Sequence, residues 1–175
     1  MRYGQYLETP IGKLFLVAED GCLVELGIQA DGSVPEMGQV GWQEAEVLSH
    51  EKELLMRATG QIQEYLAGKR TSFDIPICGK GSEFQKKVWK ALCEIPYGET
   101  RTYGQIAVAI GNPKAARAVG GACNKNPIMI IVPCHRVIGG NGKLVGFGGG
   151  LDMKEKLLTL EGIEAKEAVY SIGIK

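Results

Sequence analysis

The segment that constrains the rest of this 175-residue chain reads Ile130-Ile131-Val132-Pro133-Cys134-His135-Arg136-Val137. Its apolar run predicts a buried, strand-like segment. Pro133 has no backbone N–H to donate to a sheet, so regular pairing is expected to stop there. Cys134 then follows at the point where the chain leaves the core, and its thiol can face a cavity. The segment therefore predicts a functional cysteine.

A cysteine attacks as the thiolate, and a neighbouring cation or base lowers the thiol pKa to form it. His135 is the candidate base, although adjacent side chains in an extended chain point to opposite faces. Contact between the two therefore requires a turn, or a water molecule between sulfur and imidazole. A carboxylate from elsewhere would orient the ring. The alternative is a buried thiol beside a surface histidine, because free cysteine is often simply buried.

Two further segments lie upstream, Asn112-Pro113-Lys114-Ala115-Ala116-Arg117-Ala118-Val119-Gly120-Gly121 and Asn126-Pro127. In this order and spacing, and together with Pro133-Cys134-His135-Arg136, they closely resemble the O6-alkylguanine-DNA alkyltransferases, which are suicidal methyl-acceptor repair proteins. The resemblance covers residues 82–162, and more loosely the whole chain. It implies an α/β N-terminal domain (an antiparallel sheet plus a helix, ribonuclease H-like). A mostly α C-terminal domain with a winged-helix-like helix-turn-helix would follow.

The resemblance implies catalytic roles for four residues. Cys134 would accept the alkyl group, with guanine O6 as the leaving group. His135 would generate the thiolate through a water molecule, and Glu161 would orient the imidazole, as the third member of a triad does. Asn126 would brace the turn that carries the cysteine. Without the resemblance, Glu161 is better interpreted as a solvated charge at a helix end.

The resemblance also implies base flipping, because a base inside the duplex cannot reach a buried thiol. Arg117 would fill the vacated stack, and Asn112 would contact the DNA. Tyr103 would crowd the adjacent phosphate and offer its hydroxyl to guanine N3. The helix-turn-helix would enter the minor groove, unlike most such motifs. The alternatives are a phosphate contact or surface salt bridge for Arg117, and a core aromatic for Tyr103.

Guanine recognition in such proteins comes mostly from backbone groups, which would here be the carbonyls of Cys134 and Val137 and the N–H of Gly148. Phe147 and Gly148 stand where Tyr-Ser is common in the family, so a hydroxyl near the pocket is lost. Met129 stands where a proline is frequent. The substrate-binding residues that the resemblance implies are Tyr103, Val137, Phe147, Gly148 and Gly149.

Charge is unevenly distributed along a chain whose formal net charge is zero. Residues 1–80 hold 7 Lys and Arg against 12 Asp and Glu, a net of −5, whereas residues 81–175 hold 13 against 8, a net of +5. From Thr100 to Gly150 there are six basic residues and no acidic one. This asymmetry predicts a polyanion-facing surface, with a solvated basic face as the alternative. The resemblance implies the partner, which would be double-stranded DNA that contains O6-alkylguanine, or O4-alkylthymine, bound by a monomer.

The number and spacing of the cysteines, together with the hydropathy, indicate the cellular compartment of the protein. Five cysteines without tight spacing predict reduced thiols and a cytoplasmic protein. No apolar run is long enough to span a membrane, and the N-terminus lacks a signal-peptide core. With two histidines and no Cys-x-x-Cys, we expect no metal site. The resemblance implies no cofactor.

Periodicity and turn residues predict the elements and place the domain boundary at Gly79-Lys80-Gly81, so that the domains are 1–80 and 81–175. Three strands are expected at residues 2–8, 13–18 and 22–28, with a hairpin turn at Glu19-Asp20-Gly21 and Cys22 as a small core residue. A helix over 44–67 and a short strand over 73–77 follow. A capping box at Ser82 opens the next helix. Further helices are expected at 102–110, after Asn112 as cap with Pro113 at the first position, and at 151–160.

Two rival functions remain open from the sequence. A Cys-His hydrolase would need an oxyanion hole and would release product catalytically. A helix-turn-helix regulator, or an alkyltransferase-like protein that only binds lesions, would be non-catalytic. The lesion-binding relatives lack the nucleophile, so the presence of Cys134 argues against them.

Overall fold

The protein is described by a computed structural model that covers residues 2–29, 50–142 and 150–164. Its contacts divide the chain into two compact units, Met1–Lys80 and Gly81–Lys175. In the part of the chain that is described, no helix has both the length and the apolar character needed to cross a membrane.

The first unit contains a three-stranded antiparallel sheet, formed by β1 (Arg2–Thr9), β2 (Gly12–Glu19) and β3 (Cys22–Ile28) in that order. Both residues of the Asp20-Gly21 turn have positive φ (50° and 79°), as a two-residue type I′ hairpin requires. Helix α1 (His50–Leu66) packs on the sheet. Its buried apolar residues are Leu54, Leu55, Ala58, Ile62 and Tyr65. The predicted α/β class is confirmed, and residues 44–49 of the predicted helix lie outside the described residues.

Cys22 and Cys78 form a disulfide, with Cα atoms 5.6 Å apart. The strand predicted over 73–77 is only one parallel bridge between Ile77 and Leu23, because Pro76 has no N–H with which to extend a ladder. Leu23 N donates to Pro76 O (2.9 Å) and Cys78 N donates to Leu23 O (3.0 Å), which brings the two cysteines together. The predicted reduced state is therefore wrong for this pair, whose 56-residue separation leaves no local signal.

The second unit is mostly helical, as predicted. It contains α2 (Glu83–Cys93), α3 (Tyr103–Ala109), α4 (Ala116–Asn124) and α5 (Leu151–Leu160), with a two-stranded parallel sheet of β4 (Arg101–Thr102) and β5 (Val137–Ile138). The predicted capping box opens α2: Gln85 N donates to Ser82 Oγ (3.1 Å), and Ser82 N donates to Gln85 Oε1 (2.9 Å). Trp89 Nε1 donates to Ala122 O (2.9 Å) and ties α2 to α4.

The turn between α3 and α4 differs from the prediction. Gly111 (φ 81°) closes α3, with Gly111 N donating to Val108 O (3.0 Å) and Asn112 N to Ala107 O (2.9 Å), the two bonds of a Schellman motif. Ala115 N then donates to Asn112 O (3.0 Å), and α4 begins only at Ala116, without a side-chain cap. The predicted cap at Asn112 and first helical position at Pro113 are therefore wrong. The backbone N–H of Asn112 closes one helix, and its side chain does not open the next.

Candidate active site

The apolar run before the cysteine is a buried turn and not the predicted strand. Ile131 N donates to Met129 O (2.8 Å) around Ile130, whose φ is 70°. A γ-turn with a positive φ at its centre is rare, and the conformation is strained for a β-branched residue. Such strain costs about 1–3 kcal/mol, persists only where the surroundings enforce it, and concentrates at functional sites.

A second γ-turn follows at Pro133. Its φ of −82° and ψ of 64° fit the inverse form, and Cys134 N donates to Val132 O (2.8 Å). The chain then enters a 3-10 turn, Cys134–Arg136, in which Arg136 N donates to Pro133 O (3.0 Å). Because Cys134 and His135 lie in a turn and not in an extended chain, their side chains are not forced to opposite faces.

Asn126 contacts both ends of this turn through its side-chain amide. Its Nδ2 donates to Val132 O (2.9 Å) and to Cys134 Sγ (3.3 Å), and its Oδ1 accepts from Ile128 N (3.0 Å). An amide can do this because it carries donors on nitrogen and an acceptor on oxygen. Asn126 therefore fixes the position of the sulfur and presents a donor to it.

The thiol of Cys134 is buried, and burial raises its pKa. The hydrogen bond from Asn126 and the charge of Lys154 act in the opposite direction and do not overcome the burial. The sequence predicts a neighbouring group that lowers this pKa, but the desolvation of a closed site is not visible in the sequence. Cys134 is therefore a neutral thiol in this structure, and its proton must leave during the reaction.

His135 is completely buried, and its Nε2 lies 2.6 Å from Glu161 Oε2. Burial lowers the pKa of the imidazole, the Glu161 carboxylate raises it, and the charges of Arg136 and Lys154 lower it again. The net lowering keeps the imidazole neutral at physiological pH, which is the form that can accept a proton. Because Nε2 is directed at the carboxylate, Nδ1 is the ring nitrogen that would accept it.

Glu161 lies at the C-cap of α5, and its side chain is fully buried. Besides His135, its carboxylate accepts from Arg136 Nε (2.8 Å) and Nη2 (3.2 Å) and from Gly98 N (3.1 Å). The structure thus brings together two predicted residues that are 26 positions apart. Glu161 is not a solvated charge at a helix end.

Two buried cations near the site, Arg136 and Lys154, have no role predicted from the sequence. Lys154 Nζ donates to Val137 O (2.5 Å) and lies 5.8 Å from the centre of the Tyr103 ring. Burial lowers the pKa of Lys154 to about 8, although the thiolate forms of Cys134 and Cys123 would raise it. The sequence did contain a signal that Lys154 is buried. Lys154 and Glu161 have the helical spacing that places them on the same face as the buried residues Leu157 and Leu158 of α5.

Tyr103 is brought to the site by the short parallel sheet, in which Arg101 pairs with Val137 and Thr102 with Ile138. Thr102 caps α3, so Tyr103 is the first residue of this helix. Burial raises the pKa of the Tyr103 hydroxyl, and Cys123 and Cys134 raise it further. The hydroxyl is therefore protonated and can act as a donor.

Arg117 and Asn112 lie on the surface and not at the thiol. The exposed positions of α4 are one helix face formed by Arg117, Ala118, Gly121 and Asn124. Within the described residues, the Arg117 guanidinium has no hydrogen bond or ion pair, so the predicted alternative of a surface salt bridge is not found there. Asn112 is exposed in the turn that precedes α4.

Of the predicted substrate-binding residues, Val137 is buried in β5 with its carbonyl facing Lys154. Phe147, Gly148 and Gly149 lie outside the described residues. In the ranges 2–29, 50–142 and 150–164, no group of three or more His, Cys, Asp or Glu could hold a metal ion.

Comparison with known proteins gives matches over nearly the whole chain. Residues 83–163 match the family described as 6-O-methylguanine DNA methyltransferase, DNA binding domain, and residues 1–78 match its ribonuclease-like domain. The predicted fold class of both parts is confirmed by these matches.

Individual relatives are also similar over their full length. The methylated-DNA–protein-cysteine methyltransferase of Methanosarcina acetivorans is 51% identical over 160 residues, which cover 91% of this chain and 98% of that protein. The constitutive enzyme of Bacillus subtilis is 44% identical over 170 residues, covering 95% and 99%. The crystal structure of Mycobacterium tuberculosis OGT in complex with DNA is similar with a TM-score of 0.75 and 44% identity, covering 91% of this chain and 92% of that one.

Proposed function

Because this chain belongs to the methylated-DNA–protein-cysteine methyltransferase family, we propose that it repairs O6-alkylguanine in DNA by moving the alkyl group to Cys134. The transfer is stoichiometric and irreversible, so each molecule reacts once. O4-alkylthymine is the second substrate that we propose, since its alkyl group is also bonded to an exocyclic oxygen. The observation that carries the proposal is a buried thiol that accepts a hydrogen bond from Asn126, beside a neutral histidine paired with Glu161.

The transfer is a nucleophilic displacement at the alkyl carbon, and each proton that one group releases is taken up by another. The proton of the Cys134 thiol passes to His135 through a water molecule, and the sulfur keeps the electron pair. The sulfur–carbon bond forms as the carbon–O6 bond breaks. The Tyr103 hydroxyl gives a proton to guanine N3, so that the base leaves neutral, and the imidazolium returns a proton to Tyr103. The product is an S-alkylcysteine with no step that regenerates the thiol.

The charges of the closed site support this order of events. Burial raises the pKa of Cys134 and lowers that of His135, so both groups are neutral before reaction. A thiolate formed only when substrate is present is protected from other electrophiles, because the thiolate and not the thiol reacts. Lys154, Asn126 and the Glu161 carboxylate then stabilise the charges that appear during transfer.

We further propose that the protein binds double-stranded DNA as a monomer, through the minor groove, with the damaged nucleotide flipped out. The exposed face of α4 supports this, since Arg117 stands among Ala118 and Gly121. Small residues allow the helix to approach the DNA closely, and the guanidinium can enter the stack that the nucleotide leaves. The basic half of the chain supplies phosphate contacts, so binding should weaken with added salt and depend little on sequence.

Mass spectrometry of the intact protein after incubation with O6-methylguanine DNA tests the proposal. We expect the mass of one methyl group to be added per molecule, on the peptide that contains Cys134. Cys134→Ala should gain none. Cys93→Ala, which removes an exposed thiol of the same unit, should react like the wild type. Multiple turnovers per molecule, as expected of a Cys-His hydrolase, would overturn the proposal.

A further inference from the structure

Arg136 is a buried residue to which the proposed reaction gives no role. Its guanidinium binds Glu161 with two parallel bonds, from Nε to Oε1 (2.8 Å) and from Nη2 to Oε2 (3.2 Å). Its Nη1 donates to Ile95 O (2.7 Å), and its guanidinium carbon lies 5.7 Å from the centre of the Tyr97 ring. A planar fork held at three points in this way fixes the carboxylate more firmly than a flexible ammonium could.

The carboxylate of Glu161 therefore serves two partners. One oxygen, Oε2, lies 2.6 Å from His135 Nε2 and also accepts from Arg136 Nη2. The other, Oε1, accepts from Arg136 Nε and from Gly98 N. Because the buried arginine already balances the negative charge, His135 can stay neutral beside the carboxylate. A buried Glu161 without that cation would favour an imidazolium from the start.

We propose that Arg136 is a positioning residue of alkyl transfer: it holds Glu161 in a bidentate pair and so fixes His135 in the orientation and the neutral state from which the imidazole accepts the proton of Cys134. The inference deepens the proposed function and rests on it. Arg136 touches neither the sulfur nor the substrate and acts only through Glu161.

The charged groups around His135 are consistent with this role. Helix α5 contributes Glu161, which raises the pKa of His135, and Lys154, which lowers it, while Arg136 lowers it from the same turn. The other titratable groups near the Cys134–Arg136 turn lie on four elements. They are Cys93 on α2, Glu94 and Tyr97 in the segment after α2, Tyr103 on α3 and Cys123 on α4. Removing the charge of Arg136 should therefore raise the pKa of His135, because a nearby positive charge disfavours the imidazolium.

The first test compares single-turnover transfer against pH for the wild type, Arg136→Met and Arg136→Lys. In Arg136→Met, His135 should become protonated at higher pH, so the acid limb of the rate profile should move up by about one pH unit or more. Arg136→Lys keeps the charge but loses the fork. Its acid limb should stay within about 0.5 pH units of the wild type, and its plateau rate should fall about three- to tenfold.

Lys156→Met is the matched control, since it removes a cation from the exposed side of α5, where Lys156 pairs with Asp152. It should have the wild-type profile. A purely structural role of Arg136 would lower the rate equally at every pH, or lower only the melting temperature. An unmoved acid limb in a folded Arg136→Met protein would overturn the inference.

The second measurement does not require transfer activity. The chain has only two histidines, and His50 is exposed, so the nitrogen NMR signals of His135 can be assigned by comparison. In the wild type, we expect the tautomer with hydrogen on Nε2 and a ring that is neutral at physiological pH. In Arg136→Lys, which keeps the charge, we expect the ring still neutral but with a second tautomer or broadened signals.

These signals separate the inference from the proposed function. If the ring of His135 in the wild type is protonated at neutral pH, or if Arg136→Lys leaves its tautomer and signals unchanged, the role of Arg136 is wrong even if Cys134 is methylated. If the NMR result holds but no methyl group is transferred, the proposed function fails instead. Should Arg136→Met not fold, the wild type and Arg136→Lys still decide the question.

Discussion

At the scale of single residues, the reactivity of Cys134 is a balance between burial and two neighbours. Burial raises the pKa of the thiol, while the Asn126 amide and the Lys154 ammonium lower it. In the free protein, burial has the larger effect on the pKa, so the thiol stays protonated. The neighbours gain importance during transfer, because hydrogen bonds to charged groups are stronger than those to neutral ones.

Substitution of Asn126 tests whether its amide acts as a donor to sulfur or only braces the turn. Asn126→Ala should slow transfer about ten- to a hundredfold, since a hydrogen bond to a charged group contributes about 1.5–3 kcal/mol. Asn126→Asp keeps the acceptor for Ile128 N but places a negative charge against the sulfur. It should therefore be slower than Asn126→Ala. Single-turnover rates decide the order, and equal rates would leave Asn126 only a bracing role.

Lys154 should make stability depend on alkaline pH. Its pKa is about 8 in the folded protein and 10.5 when unperturbed, so between these values the unfolded state binds more protons. Its contribution to the free energy of unfolding should therefore rise across this window, by about 3 kcal/mol. Below pH 8 the cost of burying the charge is fully present.

The comparison with Lys154→Met isolates this contribution. The raised pKa values of Cys134 and Cys123 act in the opposite direction, but they are present in both proteins and largely cancel in the difference. Urea unfolding from pH 7 to 10.5 should show the stability of the variant, relative to the wild type, falling by about 3 kcal/mol. A difference that does not change with pH would mean that Lys154 keeps an ordinary pKa.

At the scale of elements, α4 divides its small residues between two surfaces. Val119, Ala122 and Cys123 are buried, and a Cβ added to Gly120 would meet the Tyr103 ring at 3.8 Å. The opposite face, with Ala118 and Gly121, contacts no other described element closely: a Cβ added to Gly121 meets nothing within 4 Å. Packing within the protein does not require small residues on this face. Their presence therefore indicates that another molecule approaches the helix closely there.

Ala118→Leu tests this approach. Leucine is a good helix former and Ala118 is exposed, so the free energy of unfolding should change by less than about 0.5 kcal/mol. Affinity for duplex DNA should fall about tenfold or more, because the side chain would hold the helix away from the groove. Ala67→Leu, at an exposed position of the first unit, is the control and should bind normally. Unchanged binding by Ala118→Leu would show that DNA meets another face.

Arg117→Ala tests the flipping role at the same face. Transfer from duplex DNA should slow at least about tenfold more than transfer from the free O6-methylguanine base, since only the duplex has a stack to fill. Lys125→Ala removes an exposed cation just after α4 and should weaken duplex binding with little effect on the transfer rate of bound DNA. Equal losses on duplex and free base for Arg117→Ala would contradict flipping.

At the scale of the whole molecule, each of the two units is stabilised internally by a different kind of interaction. The second unit surrounds a buried ionic network, whereas the first closes a 56-residue interval with the Cys22–Cys78 disulfide. A cross-link over an interval of this length reduces the entropy of the unfolded chain and stabilises by about 4 kcal/mol. The first unit should therefore depend on redox conditions.

Thermal unfolding with and without reductant measures this dependence. Reductant should lower the melting temperature of the wild type and of Cys93→Ala, which keeps the pair. The double variant Cys22→Ala, Cys78→Ala should melt low and be insensitive to reductant. A wild type that melts at the same temperature in both conditions would show that the pair is reduced in solution.

The sequence by itself determined what depends on residues a few positions apart. The Asp20-Gly21 hairpin, the capping box at Ser82 and the bounds of α5 were predicted because their hydrogen bonds and periodicities are local. The Cys-His pair and its family resemblance were equally visible. Strand order followed from the same turns.

Only the tertiary structure decided the rest, because it depends on groups far apart in the chain and on their removal from water. The apolar run before Cys134 forms two γ-turns, and the positive φ of Ile130 in the first is enforced by its surroundings and not by its β-branched residues. Arg136 meets Glu161 across 25 positions, and Lys154 meets Val137 across 17. Burial then reversed the expected pKa of Cys134, since desolvation in the closed site outweighs the two neighbours that stabilise its charge.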